Sequence, residues 1–204
     1  NFSNFFDNLI HASIHRPDSS LVLENNFAIP IQTHSNNIKV VKRIGVYDNV
    51  DGLISSKEYN IPLSIKVADC MPIYIYDRVT NYYGLIHSGW RGTKNKIISK
   101  ALDYFISEFN SFYSDIFIVI GPHIQKCCYE VDWDVAQYFP YSIKNNEKSK
   151  WFLNLNKEIK SDILKFNIPI ENIYSSDICT YESLLCESFR RDGINSNRMI
   201  GVIK

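Results

Sequence analysis

No apolar run in this sequence approaches the roughly 18 residues of a membrane-spanning helix, and the densest is Ile116-Phe117-Ile118-Val119-Ile120. A membrane partner is not expected. No basic segment followed by an apolar stretch opens the chain, so no secretory signal is visible and a cytoplasmic location is expected. The first residue is Asn1 rather than Met, so further N-terminal residues are expected. Charge of one sign is lacking too: 22 Lys and Arg face 22 Asp and Glu, for a net charge of +0. That argues against a broad nucleic-acid surface, though not against a local basic patch. Internal repeats and low-complexity linkers are missing, which excludes a solenoid and gives no reason to divide the chain. One domain spanning residues 1–204 is expected.

What is present is globular. Hydrophobic residues make up 45% and charged residues 22%, which excludes a disordered chain. Asn, Ile, Lys and Tyr are abundant and Ala is scarce, a bias read as that of the source genome. The five cysteines are odd in number and irregular in spacing. Without a signal peptide they read as free thiols or metal ligands rather than a disulfide framework.

Short β-type runs dominate the first half: Ile38–Val41, Leu63–Val67, Ile73–Tyr76 and Tyr82–His87. Pro72 predicts a break between Cys70 and the next strand. From Ile97 the period lengthens. Ile97, Ala101, Leu102, Phe105, Ile106 and Phe109 form one stripe of an amphipathic helix of about four turns. Phe117–Ile120 reads as a strand buried on both faces. A helix is predicted from about Phe152 to Phe166, and strands at Ile173–Tyr174 and Met199–Ile203. Arg16–Ser20, Tyr47–Gly52 and Lys144–Lys150 read as loops. Strands interleaved with two or three helices predict a mixed α/β or α+β domain.

Several segments place reactive residues at strand ends. They are Gln32-Thr33-His34, Ala68-Asp69-Cys70-Met71-Pro72, and His87-Ser88-Gly89-Trp90-Arg91-Gly92-Thr93. A strand feeding a glycine-containing turn and a helix start is where α/β proteins bind anions, and Arg91 is suited to grip one. His34, Cys70 and His87 together make a three-ligand zinc set with an open position. Their spacing is not diagnostic, since neither CxxC nor HExxH occurs. Taken singly, Cys70 also reads as a small buried hydrophobe and either histidine as a structural residue. Adjacent Cys127 and Cys128 are not expected to chelate one metal. Packing residues, or one thiol turned toward a site, both suit them. Arg190, Arg191 and Arg198 either bind an anion or pair with Asp177, Glu187 or Asp192.

These segments, in this order, resemble the YfiH family. It is also called the multicopper polyphenol oxidoreductase (laccase-like) family and the YfiH-type purine nucleoside phosphorylases. The resemblance rests on Gln32-Thr33-His34, Val67 to Pro72, Ile86 to Gly92, Gly121 to Val131, and Cys179-Thr180 with Ser188 to Met199. It implies an α/β fold, a single-domain sandwich of mixed sheets grouped with the cytotoxic-necrotizing-factor-like cysteine hydrolases. It maps the metal ligands onto His34, Cys70 and His87. It implies zinc, with copper as the other candidate, and phosphorolysis of adenosine, inosine, guanosine and methylthioadenosine together with adenosine deamination. The chain departs from the family pattern at Gln125-Lys126, where a glycine is usual, and at His15 to Ser20, where a double glycine is usual.

On this reading Asp69, Arg91 and Cys127 are the expected catalytic residues. Gln32, Trp90, Arg91, Gly92 and Tyr129 are expected to bind substrate. Asp69, beside Cys70, would carry protons or orient a ligand; Arg91 with the Gly92-Thr93 helix start would hold phosphate; Trp90 or Tyr129 would stack on the purine. The alternatives are a copper-dependent polyphenol oxidase, a hydrolase editing peptidoglycan precursors, and a non-catalytic metal-binding protein. Laccase-type chemistry uses several coppers and many histidines, and this chain has five His in all. The expected partners are purine nucleosides and phosphate, not nucleic acid.

Overall fold

Leu63, Ile65 and Val67 alternate with Ser64 and Lys66, the period that lays one face of a strand on a core. The computed structural model, which describes residues 1–8, 10–16, 26–145 and 149–204, shows that strand with those bounds. In chain order the strands are β1 (Ala12–His15), β2 (Ala28–Pro30), β3 (Ile38–Val40), β4 (Gly45–Tyr47), β5 (Gly52–Ser56), β6 (Leu63–Val67) and β7 (Met71–Asp77). There follow β8 (Tyr82–Ser88), β9 (Ile116–Ile120), β10 (Glu130–Val131), β11 (Ile143–Asn145), β12 (Lys150–Phe152), β13 (Ile173–Ser175) and β14 (Met199–Ile203). The α-helices are α1 (Trp90–Lys94), α2 (Ile97–Asp103), α3 (Trp133–Ala136), α4 (Leu155–Leu164) and α5 (Phe189–Asp192).

Two mixed sheets stack, and helices cover one of them. One sheet has the order β1-β14-β6-β2-β4, the other β13-β9-β7-β8-β5-β3. A small third sheet, β10-β12-β11, lies beside them. Alternation along the strands builds two cores. Ile73, Ile75, Ile86, Ile118 and Ile120 face α2 and α4, whereas Tyr74, Tyr76, Tyr83, Leu85 and Val119 face the five-stranded sheet. β9 is therefore buried on both faces. Phe105 of the Ile97–Phe109 stripe is fully buried under the six-stranded sheet, where its loss would cost about 3–5 kcal/mol. The stripe is helical, but α2 ends at Asp103 and passes into a π-helical turn, Tyr104–Glu108.

Pro72 does not interrupt its strand. It lies inside β7, opposite His87 of β8. Its carbonyl accepts the N–H of Gly121, just past the end of β9, so the N–H it lacks would face the same way and not toward β8. The helix expected from Phe152 starts at Leu155, because Phe152 belongs to β12 and Asn154 caps the helix by accepting the Lys157 N–H. Residues 17–20 of the loop read at Arg16–Ser20, and 146–148 of that at Lys144–Lys150, lie outside the described residues. Among the described residues no helix is long and apolar enough to cross a membrane.

Candidate functional site

The two large sheets end together at a cleft of about 570 Å³, within the range of small-ligand sites. Its floor comes from two connections and a strand end. His34 lies between β2 and β3, Cys70 between β6 and β7, and His87 near the end of β8. One ligand atom from each lies within 4.8 Å of the others. The two imidazoles meet edge to face, 4.9 Å between centroids. Zinc–nitrogen bonds of about 2.0 Å and a zinc–sulfur bond of about 2.3 Å set tetrahedral edges of roughly 3.3–3.6 Å, so a small closure of this trio fits the ion.

A residue read as part of a loop organises the floor. Asp51 precedes β5, is fully buried, and its carboxylate accepts five hydrogen bonds of 3.2 Å or less. They come from the N–H groups of Thr33, His34 and Ser35, the Ser35 hydroxyl and the His87 ring. Burial opposes the charge of Asp51, but His87 and Ser35 outweigh it and hold the carboxyl at about 2. A carboxylate only accepts, so His87 Nδ1 carries the hydrogen of the 2.8 Å contact. That leaves His87 Nε2 as the atom for a metal, the carboxylate–histidine arrangement typical of metal sites. Burial pushes the Cys70 thiol up, yet the imidazoles of His34 and His87 pull it down to about 6. Burial likewise lowers His87, and Asp51 and Cys70 raise it to about 9. Without metal the floor is thus a thiolate–imidazolium pair, and metal binding would release the proton.

Gly89, which caps α1, is required by a close approach. A Cβ there would stand 2.7 Å from Cys70 Sγ and 3.5 Å from His34 Cδ2.

Asp69 lines the cleft with a left-handed φ of 85°. One carboxylate oxygen accepts the Thr180 hydroxyl at 2.6 Å and the other the Arg190 N–H at 2.7 Å. Both oxygens are engaged, which suits positioning better than proton transfer. Gln32 also lines the cleft, with its amide bonded to both backbone groups of Lys66 at 2.8 Å. Tyr129 is half-buried in the wall, and burial first of all keeps its phenol protonated. The Arg190 guanidinium lies 5.3 Å from its ring centroid.

Other expected site residues lie off the cleft. Arg91 is exposed and stacks on Trp90, 4.4 Å from the ring, because its helix start turns outward. Trp90 packs against the helical core, and Gly92 is buried against Ile97 and Ser35. None of the three is among the residues lining the cleft, although Arg91 is close enough to act electrostatically on Tyr129. Cys127 lines a second cavity of about 390 Å³ with Cys179 and Glu182. Cys127 and Cys128 turn their sulfurs to the same side, 3.4 Å apart, contrary to the expectation from their adjacency.

The three arginines divide. Arg190 and Arg198, both exposed, line the cleft together with the trio. Arg191 instead donates to the carbonyls of Thr180, Tyr181, Ser183 and Cys186 and pairs with Asp192, so it clamps a loop. Sequence reasoning missed Asp51 and Lys66 in the site. For Asp51 no local signal was available, since Asp48-Asn49-Val50-Asp51-Gly52 reads as a run of turn formers.

Known proteins place the chain. The profile of the family described as multi-copper polyphenol oxidoreductase laccase matches residues 8–204. A purine nucleoside phosphorylase of Borreliella burgdorferi is 37% identical over 146 residues, 69% of this chain and 63% of that protein. The matched region is thus less than two thirds of that relative's length. A purine nucleoside phosphorylase of Clostridium acetobutylicum is 35% identical over 178 residues, 84% of this chain and 74% of that one. Two crystal structures, a hypothetical protein YfiH of Bacillus licheniformis and YlmD of Geobacillus stearothermophilus, each superpose with a TM-score of 0.81 at 28% identity. Each covers 88% of this chain, which spans 74% and 73% of theirs. By profile, identity and fold, the chain belongs to the multi-copper polyphenol oxidoreductase laccase family, the family of YfiH.

Proposed function

We propose that this chain is a zinc-dependent purine nucleoside phosphorylase acting on adenosine, inosine, guanosine and methylthioadenosine, with adenosine deamination in the same cleft. The observation that carries the reading is a single cavity with a thiolate–imidazole trio on its floor and Lys66, Arg190 and Arg198 around its mouth. Relatives named purine nucleoside phosphorylase point the same way.

His34, Cys70 and His87 would hold the ion, and a bound zinc would supply Lewis acidity at the floor. Arg190 and Arg198 suit the phosphate, since guanidinium groups bind phosphate oxygens bidentately. Arg91, outside the lining, would add to the positive field. Tyr129 offers the purine an aromatic face. In the reaction a phosphate oxygen attacks C1′ of the ribose. The C1′–N9 bond breaks, its electrons pass to the base, and the base takes the proton that the attacking hydrogen phosphate gives up. Free purine and ribose 1-phosphate leave. Asp69 positions: it ties the cleft floor to Thr180 and to the backbone of Arg190.

A copper polyphenol oxidase is supported less well. Of the five histidines, His11 and His15 lie at β1 and His123 is buried beside Cys179, so two remain for the cleft. The test is chromatography of inosine and adenosine incubated with the metal-analysed protein, with and without phosphate. Phosphate-dependent release of hypoxanthine supports the proposal, and oxidation of a phenol without any release of base contradicts it.

A further inference from the structure

We propose that Cys127, Cys128, Cys179 and Glu182 form a second metal site, a closed structural site for Zn²⁺ distinct from the cleft. Ligand atoms of the four residues lie within 4.8 Å of one another, and the Cys127 and Cys128 sulfurs are 3.4 Å apart. Zinc–sulfur bonds of about 2.3 Å give tetrahedral S–S edges of roughly 3.8 Å. Three thiolates and a carboxylate fill four positions and leave none open, the mark of a structural rather than a catalytic zinc.

A backbone donor also faces the cluster. The Gln125 N–H donates to Cys179 Sγ at 3.4 Å. Lys126 and Lys160 line the same cavity but belong to the exposed and half-buried surface, and neither is a soft ligand.

The location gives the site a purpose. Segment 121–129 separates the two cavities: Ile124 and Tyr129 line the cleft, while Gln125, Lys126 and Cys127 line the second cavity. An ion held by Cys127, Cys128 and Cys179 would staple this segment to the loop that carries Thr180. Thr180 bonds Asp69, and Arg191 clamps the same loop. The staple thus fixes the cleft wall. The inference does not depend on the cleft's substrate.

The test is metal content and Cd²⁺ titration of reduced full-length chains, read by thiolate-to-metal ultraviolet absorption. Wild type is expected to hold two zinc ions per chain. Cys70→Ala should keep one zinc and the stronger part of the Cd²⁺ band, because the remaining site has three thiolates. Cys127→Ser, at an exposed position, should fold as judged by circular dichroism and bind that ion at least tenfold more weakly. Cys179→Ser should lose it. Loss of all zinc and of the Cd²⁺ band in folded Cys70→Ala would overturn the proposal. So would unchanged affinity in Cys127→Ser.

Discussion

The floor and the mouth of the cleft are built in different ways. Cys70 and His87 sit at or beside strand ends, whereas His34 is exposed in a loop whose backbone is tied down by one buried carboxylate with five hydrogen-bond donors. At the mouth, Arg190, Arg198 and Phe189 are exposed and sit on a four-residue helix and the loop after it. On the proposed reading, chemistry that needs a fixed geometry belongs to the floor, and capture of phosphate by flexible guanidinium groups belongs to the mouth. The contrast follows from folding: a β-ladder fixes its ends, while a short helix depends on tertiary ties such as Arg190 N–H to Asp69.

The largest effect should come from breaking the floor. Asp51→Ala leaves the Thr33, His34 and Ser35 N–H groups and the His87 ring without their acceptor. It is expected to cost about 3–5 kcal/mol by chemical denaturation and to abolish cleft metal binding. Asp51→Asn should keep the fold better and still weaken metal, since the amide no longer supports His87 with charge.

The wall between the two cavities should show a pH signature almost as large. His123 is fully buried, and burial above all holds its imidazole down to about 4, neutral in the fold. The unfolded chain takes that proton near pH 6.5, so stability is full above 6.5 and falls as pH drops toward 4. The loss is up to about 3 kcal/mol, at about 1.4 kcal/mol per unit. Urea denaturation of wild type against His123→Gln between pH 4 and 7 checks it, and the variant should show a flatter dependence.

Gly89→Ala places a methyl group 2.7 Å from Cys70 Sγ. Zinc affinity should fall about 10–100-fold while the melting temperature of the metal-free protein moves little, a split that isothermal titration and calorimetry would resolve. At the mouth, Arg190→Ala is expected to raise the KM for phosphate in inosine cleavage about tenfold, and Arg91→Ala less than Arg190→Ala. Equal effects would place phosphate on the α1 side and erase the distinction between floor and mouth.

Much of the frame was legible as pattern. β6 and β14 have the bounds expected from the sequence, and β9 the two-sided burial its apolar run implied. Three-residue strands such as β2 and β4 carry too few positions to show a period. Asp51 was hidden for a related reason. It ends Tyr47-Asp48-Asn49-Val50-Asp51-Gly52, which reads as turn formers, and only tertiary structure shows that three backbone N–H groups from residues 33–35 turn toward it. Arg190 and Arg191 are neighbours of identical type, yet one lines the cleft and the other clamps a loop, a difference set by helix phase and not by composition. The convergence of His34, Cys70 and His87 came from order and residue type; no local spacing encodes it.

The most direct measurement compares wild type with Cys70→Ala for zinc content, thermal unfolding and phosphate-dependent release of hypoxanthine from inosine. The core is large enough to stand without the cleft metal. The expected result is a folded Cys70→Ala protein that has lost the cleft zinc and the release of base together. A folded variant that releases hypoxanthine at the wild-type rate without that zinc would contradict the account.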